Sequence, residues 1–529
     1  MLVLFISFGK NLKMRKKILI SVITILLFQY TNAQAPTAIW QKCYGGSNDD
    51  YISTVPIETS DGGFVLGLET SSNDGDISGN QGGGDISLVK TSTLGIVQWQ
   101  KCYGGTEIEH ITNLFQTTDG GYLIVGDTFS NNGDVTGNHG VIDVWIVKIN
   151  AIGTIQWQKC FGGDGSDYLK NIIQTTDGGY IGVGITTSIN NGDVLGNTTA
   201  GSWVFKINDL GVFEWQKVYQ AVNITSVLQT PDGGYVYAGD VISSSLPDYH
   251  GSGDVWVAKV NQGGNIQWQK CYGGSSNDEF PQIIASNNGG YFLTSRTNSN
   301  DGDVFGNHGN NDLWLVKLDA SGTILGQNCY GGSGDEGGGY IQKTIDGGII
   351  LLTTTNSNDG NISGNHGGKD AWSIKLSSTG AIQWQKCFGG TDDDSGGVFQ
   401  LADGTYLALG NTLSNNGDIS GNHGVNTSDG FLIKLTADNL ATESFNTEII
   451  SIYPNPAKDF ITIDSGNFTN VSGWTIKLVN ALGQEVFSGA MNTQQYVVPL
   501  SSCSGKGVYF VKIYDGSNNL MNTKKVILE

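Results

Sequence analysis

The 529-residue sequence predicts an all-β protein, and three observations carry that prediction. The motif at residues 40–46, WQKCYGG, recurs along most of the chain. Its closest copies begin at Trp99, Trp157, Trp268 and Trp384, and weaker copies begin at Trp215 and Gly326. Successive copies start 59, 58, 58, 53, 58 and 58 residues apart, which indicates one repeated structural unit. The chain also has 78 Gly but only 8 Pro, together with 12 Trp, 20 Tyr and 20 Phe, as expected for short strands joined by tight turns.

Each repeat predicts four antiparallel strands. In residues 99–156, extended runs cover 111–117, 122–128 and 143–149, and a fourth begins at 154. An Asp-Gly-Gly turn separates the first two runs, and an Asp-Gly turn between alternating strands is a strong hairpin signal. Seven such units favour a seven-bladed β-propeller.

The ends of the repeat region predict how the propeller closes. An unaccompanied fourth strand lies at about 39–44, and the seventh unit has three strands, at about 398–401, 406–412 and 431–435. We therefore expect the N-terminal strand to complete the last blade. The alternative is an open β-solenoid, which would leave that strand unpaired at an exposed edge.

Other segments predict export and a second domain. Residues 1–33 read as a signal peptide, with Met14 a possible true start: Met14 and three basic residues precede an apolar run and small residues. The predicted domains are the propeller at 34–441, a linker at 442–448 and a small β-sandwich at 449–529. The net charge of -21 and the scarcity of clustered Lys and Arg argue against nucleic acid as a partner, and no transmembrane segment is expected after signal removal.

Most repeated side chains have structural explanations. The third-strand tryptophans and the WQK tryptophans are expected to pack between blades. Each third strand has a lysine, and six of them begin with an aspartate, a pattern that we interpret as recurrent ion pairing or edge protection. Six of the seven cysteines are equivalent copies, too far apart for disulfides, so we expect buried free thiols. Cys503 has no evident partner in the sequence.

The loops between the second and third strands predict a ligand-binding face, because they emerge beside the links between blades. Asn-Gly-Asp and Asn-His-Gly signatures recur in these loops. The candidate binding residues are Asn132, Asp134, Asn138, His139, Asp303, Asn307, His308, Asn365, His366, Asp418, Asn422 and His423. Oxygen ligands at alternate positions also suggest calcium at Asp74, Asp76, Asp301 and Asp303, although Asx-turns explain the same composition.

The sequence identifies no catalytic residues. Histidines on separate blades are expected to be too far apart to share a metal. Catalysis would require polar residues that differ from blade to blade. The fourth repeat, with its loop at 243–250, and the isolated Arg296 are the places that break the pattern, but neither forms a recognisable nucleophile-base or acid-base pair.

The C-terminal region closely resembles the type IX secretion C-terminal sorting domain of Bacteroidetes. The resemblance rests on Tyr453, Pro454, Asn455 and Pro456, the NALGQEV stretch at 480–486 and the GVYFVKI strand at 507–513. It implies passage through the periplasm, contact with the type IX machinery and a secreted or outer-surface location. The repeats resemble Gly/Asn/Asp-rich propeller repeats of secreted proteins, a resemblance that implies no activity.

The sequence as a whole favours a non-enzymatic, adhesin-like module that binds a glycan or a protein. Near-identical blades suit polyvalent recognition, in which several weak contacts act together. A secreted polysaccharide-active hydrolase or lyase and a purely structural surface protein remain the alternatives.

Overall fold

The computed structural model describes residues 35–438 except 242, 243 and 245, and residues 451–529 except 466–470, 472, 481, 482, 503, 504 and 515–519. The chain divides into two compact units, residues 1–440 and 441–529, which are described separately. The predicted signal peptide, the predicted linker and Cys503 lie outside the described residues.

The repeat unit forms seven antiparallel sheets, here called blades 1 to 7. The first strand of the chain, β1 (Ala38–Tyr44), belongs to blade 7. Blade 1 contains β2 (Asp50–Ile52), β3 (Ile57–Glu58), β4 (Phe64–Thr70), β5 (Asp85–Thr91) and β6 (Val97–Tyr103). Blade 2 contains β7 (Glu109–Gln116), β8 (Tyr122–Thr128), β9 (Asp143–Ile149) and β10 (Ile155–Phe161). Blade 3 contains β11 (Asp167–Gln174), β12 (Tyr180–Thr186), β13 (Gly201–Ile207) and β14 (Phe213–Tyr219).

The remaining blades repeat the same up-and-down order. Blade 4 contains β15 (Val222–Gln229), β16 (Tyr235–Val241), β17 (Val255–Val260) and β18 (Ile266–Tyr272). Blade 5 contains β19 (Asp278–Ala285), β20 (Tyr291–Thr297), β21 (Asp312–Leu318) and β22 (Ile324–Tyr330). Blade 6 contains β23 (Tyr340–Lys343), β24 (Ile349–Thr355), β25 (Asp370–Leu376) and β26 (Ile382–Phe388). Blade 7 adds β27 (Asp394–Gln400), β28 (Tyr406–Thr412) and β29 (Asp429–Leu435) to β1.

The N-terminal strand completes the last blade, as predicted. Strand β1 pairs antiparallel with β29, with Cys43 opposite Phe431 and Tyr44 opposite Gly430. The pairing gives β29 a neighbour on both sides, so the third strand of blade 7 is not left as an open edge.

The apolar core is divided among the boundaries between blades. Each of seven buried clusters takes its residues from two adjacent blades. One of them joins Leu407 and Leu432 of blade 7 to Leu66 and Val89 of blade 1, so the first and last repeats share a core. The third-strand tryptophans are almost fully buried in these clusters, at 0–2% exposure, which confirms their packing role: Trp145, Trp203, Trp256, Trp314 and Trp372.

The lysine that recurs in the third strands has a different acidic partner from the one that the sequence suggested. Lys90 lies 3.0 Å from Asp61 and Lys375 lies 2.8 Å from Asp346. These aspartates belong to the Asp-Gly-Gly hairpins rather than to the starts of the third strands. The lysine therefore ties the third strand to the turn between the first two strands. The six cysteines at 43, 102, 160, 271, 329 and 387 are free thiols, as expected; five are buried and Cys102 is partly buried.

The C-terminal unit is a small two-sheet structure. One sheet contains β30 (Ser451–Tyr453), β31 (Phe460–Asp464) and β34 (Gln495–Pro499). The other contains β32 (Trp474–Asn480), β33 (Glu485–Met491), β35 (Gly507–Tyr514) and β36 (Leu520–Leu528), and a single 3-10 turn, η1 (Leu500–Ser502), follows β34. Residues of both sheets, including Ile461 and Val511, form one buried cluster, in agreement with the predicted β-sandwich.

Candidate functional site

The long loops and the links between blades interlock on one face of the propeller. In blade 1, Asp74 Oδ1 accepts a hydrogen bond of 2.7 Å from the Ser47 amide, and the Asp76 amide donates to the Gly45 carbonyl at 2.9 Å. Asp301 Oδ1 accepts in the same way from the Ser275 amide of the link to blade 5. The predicted loop positions are therefore part of the scaffold of this face.

A buried acid at or just before the first strand fixes the preceding link in six of the blades. Asp50 Oδ2 accepts hydrogen bonds from the Gly46 amide at 2.7 Å and from Ser72 Oγ at 2.7 Å. Burial raises the pKa of Asp50. Equivalent acids make this bond in five other blades, at Glu109, Asp167, Asp278, Glu336 and Asp394, with Glu336 lying four residues before its strand.

Each loop histidine is held by a second buried acid, at the start of the third strand. Nδ1 of His139, His308 and His366 lies 2.6 Å from Oδ2 of Asp143, Asp312 and Asp370, respectively. His423 and His250 make the same contact with Asp429 at 2.5 Å and with Asp254 at 2.9 Å. All five aspartate side chains are fully buried, and burial raises the pKa of Asp143, Asp312, Asp370 and Asp429.

The outer nitrogen of several histidines faces the next blade. Nε2 of His423 lies 3.9 Å from Asp76 Oδ2, Nε2 of His366 lies 3.9 Å from Asp418 Oδ2, and Nε2 of His250 lies 4.0 Å from Asp303 Oδ2. In blade 1, Gln81 replaces the histidine and donates to Asp134 Oδ2 of blade 2 at 2.9 Å. The histidines are thus bridges between neighbouring repeats, a relation that the linear sequence does not show.

The loop asparagines hold the loops in shape. Asn132 accepts a hydrogen bond from the Thr106 amide, and Asn138 donates to the Thr128 and Ser130 carbonyls. The other three asparagines make the equivalent contacts with the end of the second strand: Asn307, Asn365 and Asn422. Within the described residues, no group of three or more His, Cys, Asp or Glu side chains is arranged to hold a metal ion. Asp74 and Asp301 each direct one oxygen to a main-chain amide, and Asp76 and Asp303 lie beside histidines.

A cavity of about 380 Å³ lies among the first strands of blades 3 to 6, the strands that line the central channel of a propeller. Lys170, Thr225, Phe280 and Tyr340 contribute to its wall, one from each of the four blades. Phe280 is 49% exposed with φ of 57°, and Tyr340 is 61% exposed. Positive φ is unusual for a bulky residue and marks a position where the surrounding structure enforces a strained backbone.

Blade-specific charged side chains contact residues in, or next to, the wall of this cavity. Arg296 pairs with Glu279 at 3.0 Å, and its guanidinium carbon lies 5.1 Å from the centre of the Phe280 ring. Asp240 accepts a hydrogen bond of 2.8 Å from the Phe280 amide, and Asp127 accepts one of 2.8 Å from the Leu169 amide. Burial raises the pKa of Asp127 to about 7 and that of Asp240 to about 6.

Sequence reasoning identified Arg296 but missed the charged side chains at the same position of other repeats. The signal was available, because Glu69, Asp127, Asp240 and Arg296 occupy the same place in the second strand and differ from blade to blade. Glu69 also holds His110 at 2.9 Å, and this hydrogen bond raises the pKa of the histidine.

The C-terminal unit is defined by its entry motif and by a family match. Asn455 donates to the Lys525 carbonyl at 3.0 Å and accepts from the Ile527 amide at 2.8 Å, which ties the motif to the last strand. Residues 451–529 match the family described as the secretion system C-terminal sorting domain. Residues 451–529 are a type IX secretion sorting domain. A chain with this sorting domain is a secreted or outer-surface protein, and no helix among the described residues is long and apolar enough to cross a membrane.

The comparisons that extend over the propeller are distant. No curated protein matches the sequence. PorZ, a surface component of the type IX secretion system of Porphyromonas gingivalis, is 11% identical with a TM-score of 0.29, and the match covers 88% of this chain and 69% of PorZ. A Dyadobacter fermentans protein of unknown function is 10% identical with a TM-score of 0.40, covering 76% of this chain and 99% of that one. An ulvan lyase of polysaccharide lyase family 25 is 10% identical with a TM-score of 0.44, covering 73% and 97%. Similarity at this level carries no functional argument.

Proposed function

We propose that the propeller is an exported, non-enzymatic glycan-binding module whose site is the channel cavity between blades 3 and 6. The observation that carries the proposal is the exposure of Phe280 and Tyr340 on the wall of one cavity, beside Lys170. Ligand sites combine apolar and aromatic walls with a few polar groups that fix orientation, and this wall has that composition. The interlocked loops would form the rim.

The backbone at Phe280 supports a recognition role for its ring. A Cβ added at Gly338 would lie 2.8 Å from the Phe280 Cβ, so the glycine of blade 6 leaves the space in which the phenylalanine stands. The equivalent residue of blade 3, Leu169, is instead buried in the core. One apolar side chain of the repeat has therefore moved from the core to the channel surface.

The acids at this position of the second strand support binding over catalysis. Glu69, Asp127 and Asp240 each accept a hydrogen bond from a main-chain amide of the following blade. Such bonds join the second strand of one blade to the first strand of the next, which accounts for these acids without a reaction.

A polysaccharide-active enzyme is the second candidate, and the pKa of Asp127 is the observation that favours it. A carboxyl group that titrates at about 7 could donate or accept a proton at neutral pH. In this case Asp127→Asn should abolish the release of sugar products from a polysaccharide substrate, whereas binding alone would give no products from the unaltered protein.

The test is a glycan array with residues 34–441, comparing the unaltered propeller with Phe280→Ala and Tyr340→Ala. Loss of stacking on one aromatic residue should weaken binding of a recognised glycan about tenfold or more. Phe305→Ala is the matched control, because Phe305 has the same exposed fraction as Tyr340, 61%, but lies on a long loop outside the cavity. Repeating the array with calcium and with chelator tests whether the Asn-Gly-Asp loops need the ion.

The outcomes separate the candidate surfaces. Loss of binding with Tyr340→Ala but not with Phe305→Ala would support the channel site. Binding that depends on Asn307 and Asp303 instead would move the site to the loops, and the absence of any glycan signal would overturn the glycan proposal in favour of a protein partner or a structural role.

A further inference from the structure

The boundary between blades 5 and 6 lacks a side chain that the other boundaries have. At three boundaries the fourth-strand tryptophan packs against the hairpin that joins the third and fourth strands of the next blade. Trp40 donates from Nε1 to the Thr93 carbonyl at 3.1 Å, and a Cβ at Gly95, Gly264 or Gly322 would lie within 3.1 Å of Trp40, Trp215 or Trp268, respectively. In blade 5 this tryptophan is Gly326, and Gly380 of the facing hairpin has no atom within 4 Å of such a Cβ.

The aromatic residue that normally meets the indole has changed as well. Trp215, Trp268 and Trp384 pair with Tyr235, Tyr291 and Tyr406 at ring-centre distances of 6.1, 6.5 and 5.5 Å. In blade 6 the corresponding residue is Ile349, which is buried. Both members of the aromatic pair are therefore replaced at this boundary by smaller or non-aromatic residues.

The third-strand lysine of blade 5 has also lost its usual partners. In blade 2, Lys148 pairs with Asp119 at 3.0 Å and donates to Gln156 at 2.9 Å. The equivalents in blade 5 are Asn288 and Leu325. Within the described part of the chain, Lys317 Nζ makes no ion pair or hydrogen bond. It lies over the Phe292 ring, 5.8 Å from the ring centre.

The Lys317 side chain does not lie beside the hairpin that joins the first two strands, where the equivalent lysines of other blades lie. In five blades the nearest atoms to a Cβ on the second hairpin glycine include the lysine Nζ, at 2.5–2.7 Å, as at Gly121. At Gly290 of blade 5, the nearest atoms belong to Leu318 and Asp319 instead. Lys317 instead lines the space beside Gly326, where the other repeats have a tryptophan.

These changes leave a cavity of about 210 Å³ between blades 5 and 6. Phe292, Lys317, Gly326, Ile349, Ser377 and Thr379 line it, and among the described residues of its wall Lys317 is the one that is charged. We infer that this cavity is a binding site for a small aromatic carboxylate, in which the ring takes the place of the missing indole and the carboxylate pairs with Lys317.

Size and charge together select this ligand class. An apolar cavity of roughly 150 Å³ accepts benzene, so this cavity has room for one or two fused rings, whereas typical ligand pockets of about 300–1,000 Å³ take larger molecules. Because the lining has a lysine and no carboxylate, an anionic substituent gains a partner that a neutral ring does not. The site is separate from the channel cavity and does not depend on the proposed glycan function.

The test measures binding of indole-3-acetate and of neutral indole to the full chain by calorimetry or ligand-detected NMR. Gly326→Trp restores the residue of the other repeats and fills the cavity, so it should reduce the affinity of both probes by more than about tenfold. Asn288→Asp restores the hairpin partner of Lys317, so it should weaken indole-3-acetate by about tenfold and change indole by less than about threefold. Both variants return the blade to its own consensus, and thermal unfolding should show them to be folded.

Binding of indole-3-acetate that is stronger than that of indole, lost in Gly326→Trp and weakened in Asn288→Asp supports the site. Equal binding to the unaltered chain and to Gly326→Trp would overturn it, as would no binding of either probe at about 10 mM, since that concentration already allows very weak complexes. Loss in Gly326→Trp with no effect of Asn288→Asp would overturn the role of Lys317 and with it the preference for a carboxylate.

Discussion

His423 of the seventh blade lies beside Asp76 of the first, with Nε2 3.9 Å from Oδ2. The other nitrogen of the same ring contacts the buried Asp429 at 2.5 Å. The imidazole thus bridges two carboxylates across the boundary where the two ends of the repeat region meet. This contact adds a polar link to the closure made by β1 and by the shared core.

His423→Ala should destabilise the propeller by about 1–3 kcal/mol, because it leaves the buried Asp429 without a hydrogen-bond partner from the ring. His423→Gln should cost less, since Gln81 makes the corresponding bridge between blades 1 and 2. Urea unfolding of the two variants measures the difference. Equal stability of His423→Ala and the unaltered protein would show that the bridge is not stabilising.

Removal of residues 35–44 should lower the unfolding temperature and cause association. The deletion exposes the edge of β29 and removes Tyr44, which is 1% exposed in the core between blades 7 and 1. Open strand edges pair with other chains. Thermal unfolding and light scattering of residues 45–440 against 35–440 test this, and a monomeric product of unchanged stability would contradict closure by β1.

The stability of the propeller should be greatest at about pH 4–5. Burial raises the pKa of Asp127 to about 7 and those of Asp85, Asp240 and Asp278 to about 6. Because the folded state then binds more protons than the unfolded state, stability falls as pH rises from about 4 to 7. The unfolding temperature, measured at constant ionic strength, should show this decline. The decline should be smaller in Asp127→Asn.

On the acid side of this maximum, the stability of the propeller should fall as the pH falls. Hydrogen bonds from Thr59, Thr175 and Thr230 lower the pKa of Asp61, Asp177 and Asp232 to about 2. Their stabilising contribution is present above about pH 4 and is lost as pH falls towards 2. A stability that continued to rise below pH 3 would contradict this assignment.

The six repeat thiols should react slowly in the native protein. Burial raises the pKa of Cys43, Cys160, Cys271, Cys329 and Cys387 to about 12 and that of Cys102 to about 11, and the thiolate is the reactive form. Ellman's reagent at pH 8 should label these six only after urea unfolding. The Cys503→Ser variant is used so that only these six thiols are present, and their rapid labelling in the folded protein would contradict the raised pKa values.

Much of the molecule follows from its sequence because the repeat applies the same local rules many times. The period, the alternating apolar runs and the Asp-Gly-Gly turns predict four strands per unit, and the unaccompanied strand at about 39–44 predicts closure. The YPNP motif and the strands after it predict the sorting domain. These features are local in the chain, and each is set by side-chain periodicity or turn chemistry.

The candidate sites depended on contacts between distant residues. The partner of Lys90 lies 29 residues away in the hairpin, His423 meets an aspartate of the first repeat, and Phe280 stands in a space left by Gly338. No local pattern specifies these distances, because they arise only when separate blades pack side by side. The sequence by itself determined the repeated sheet, its closure and the sorting domain, while the tertiary structure decided which departures from the repeat meet in a cavity.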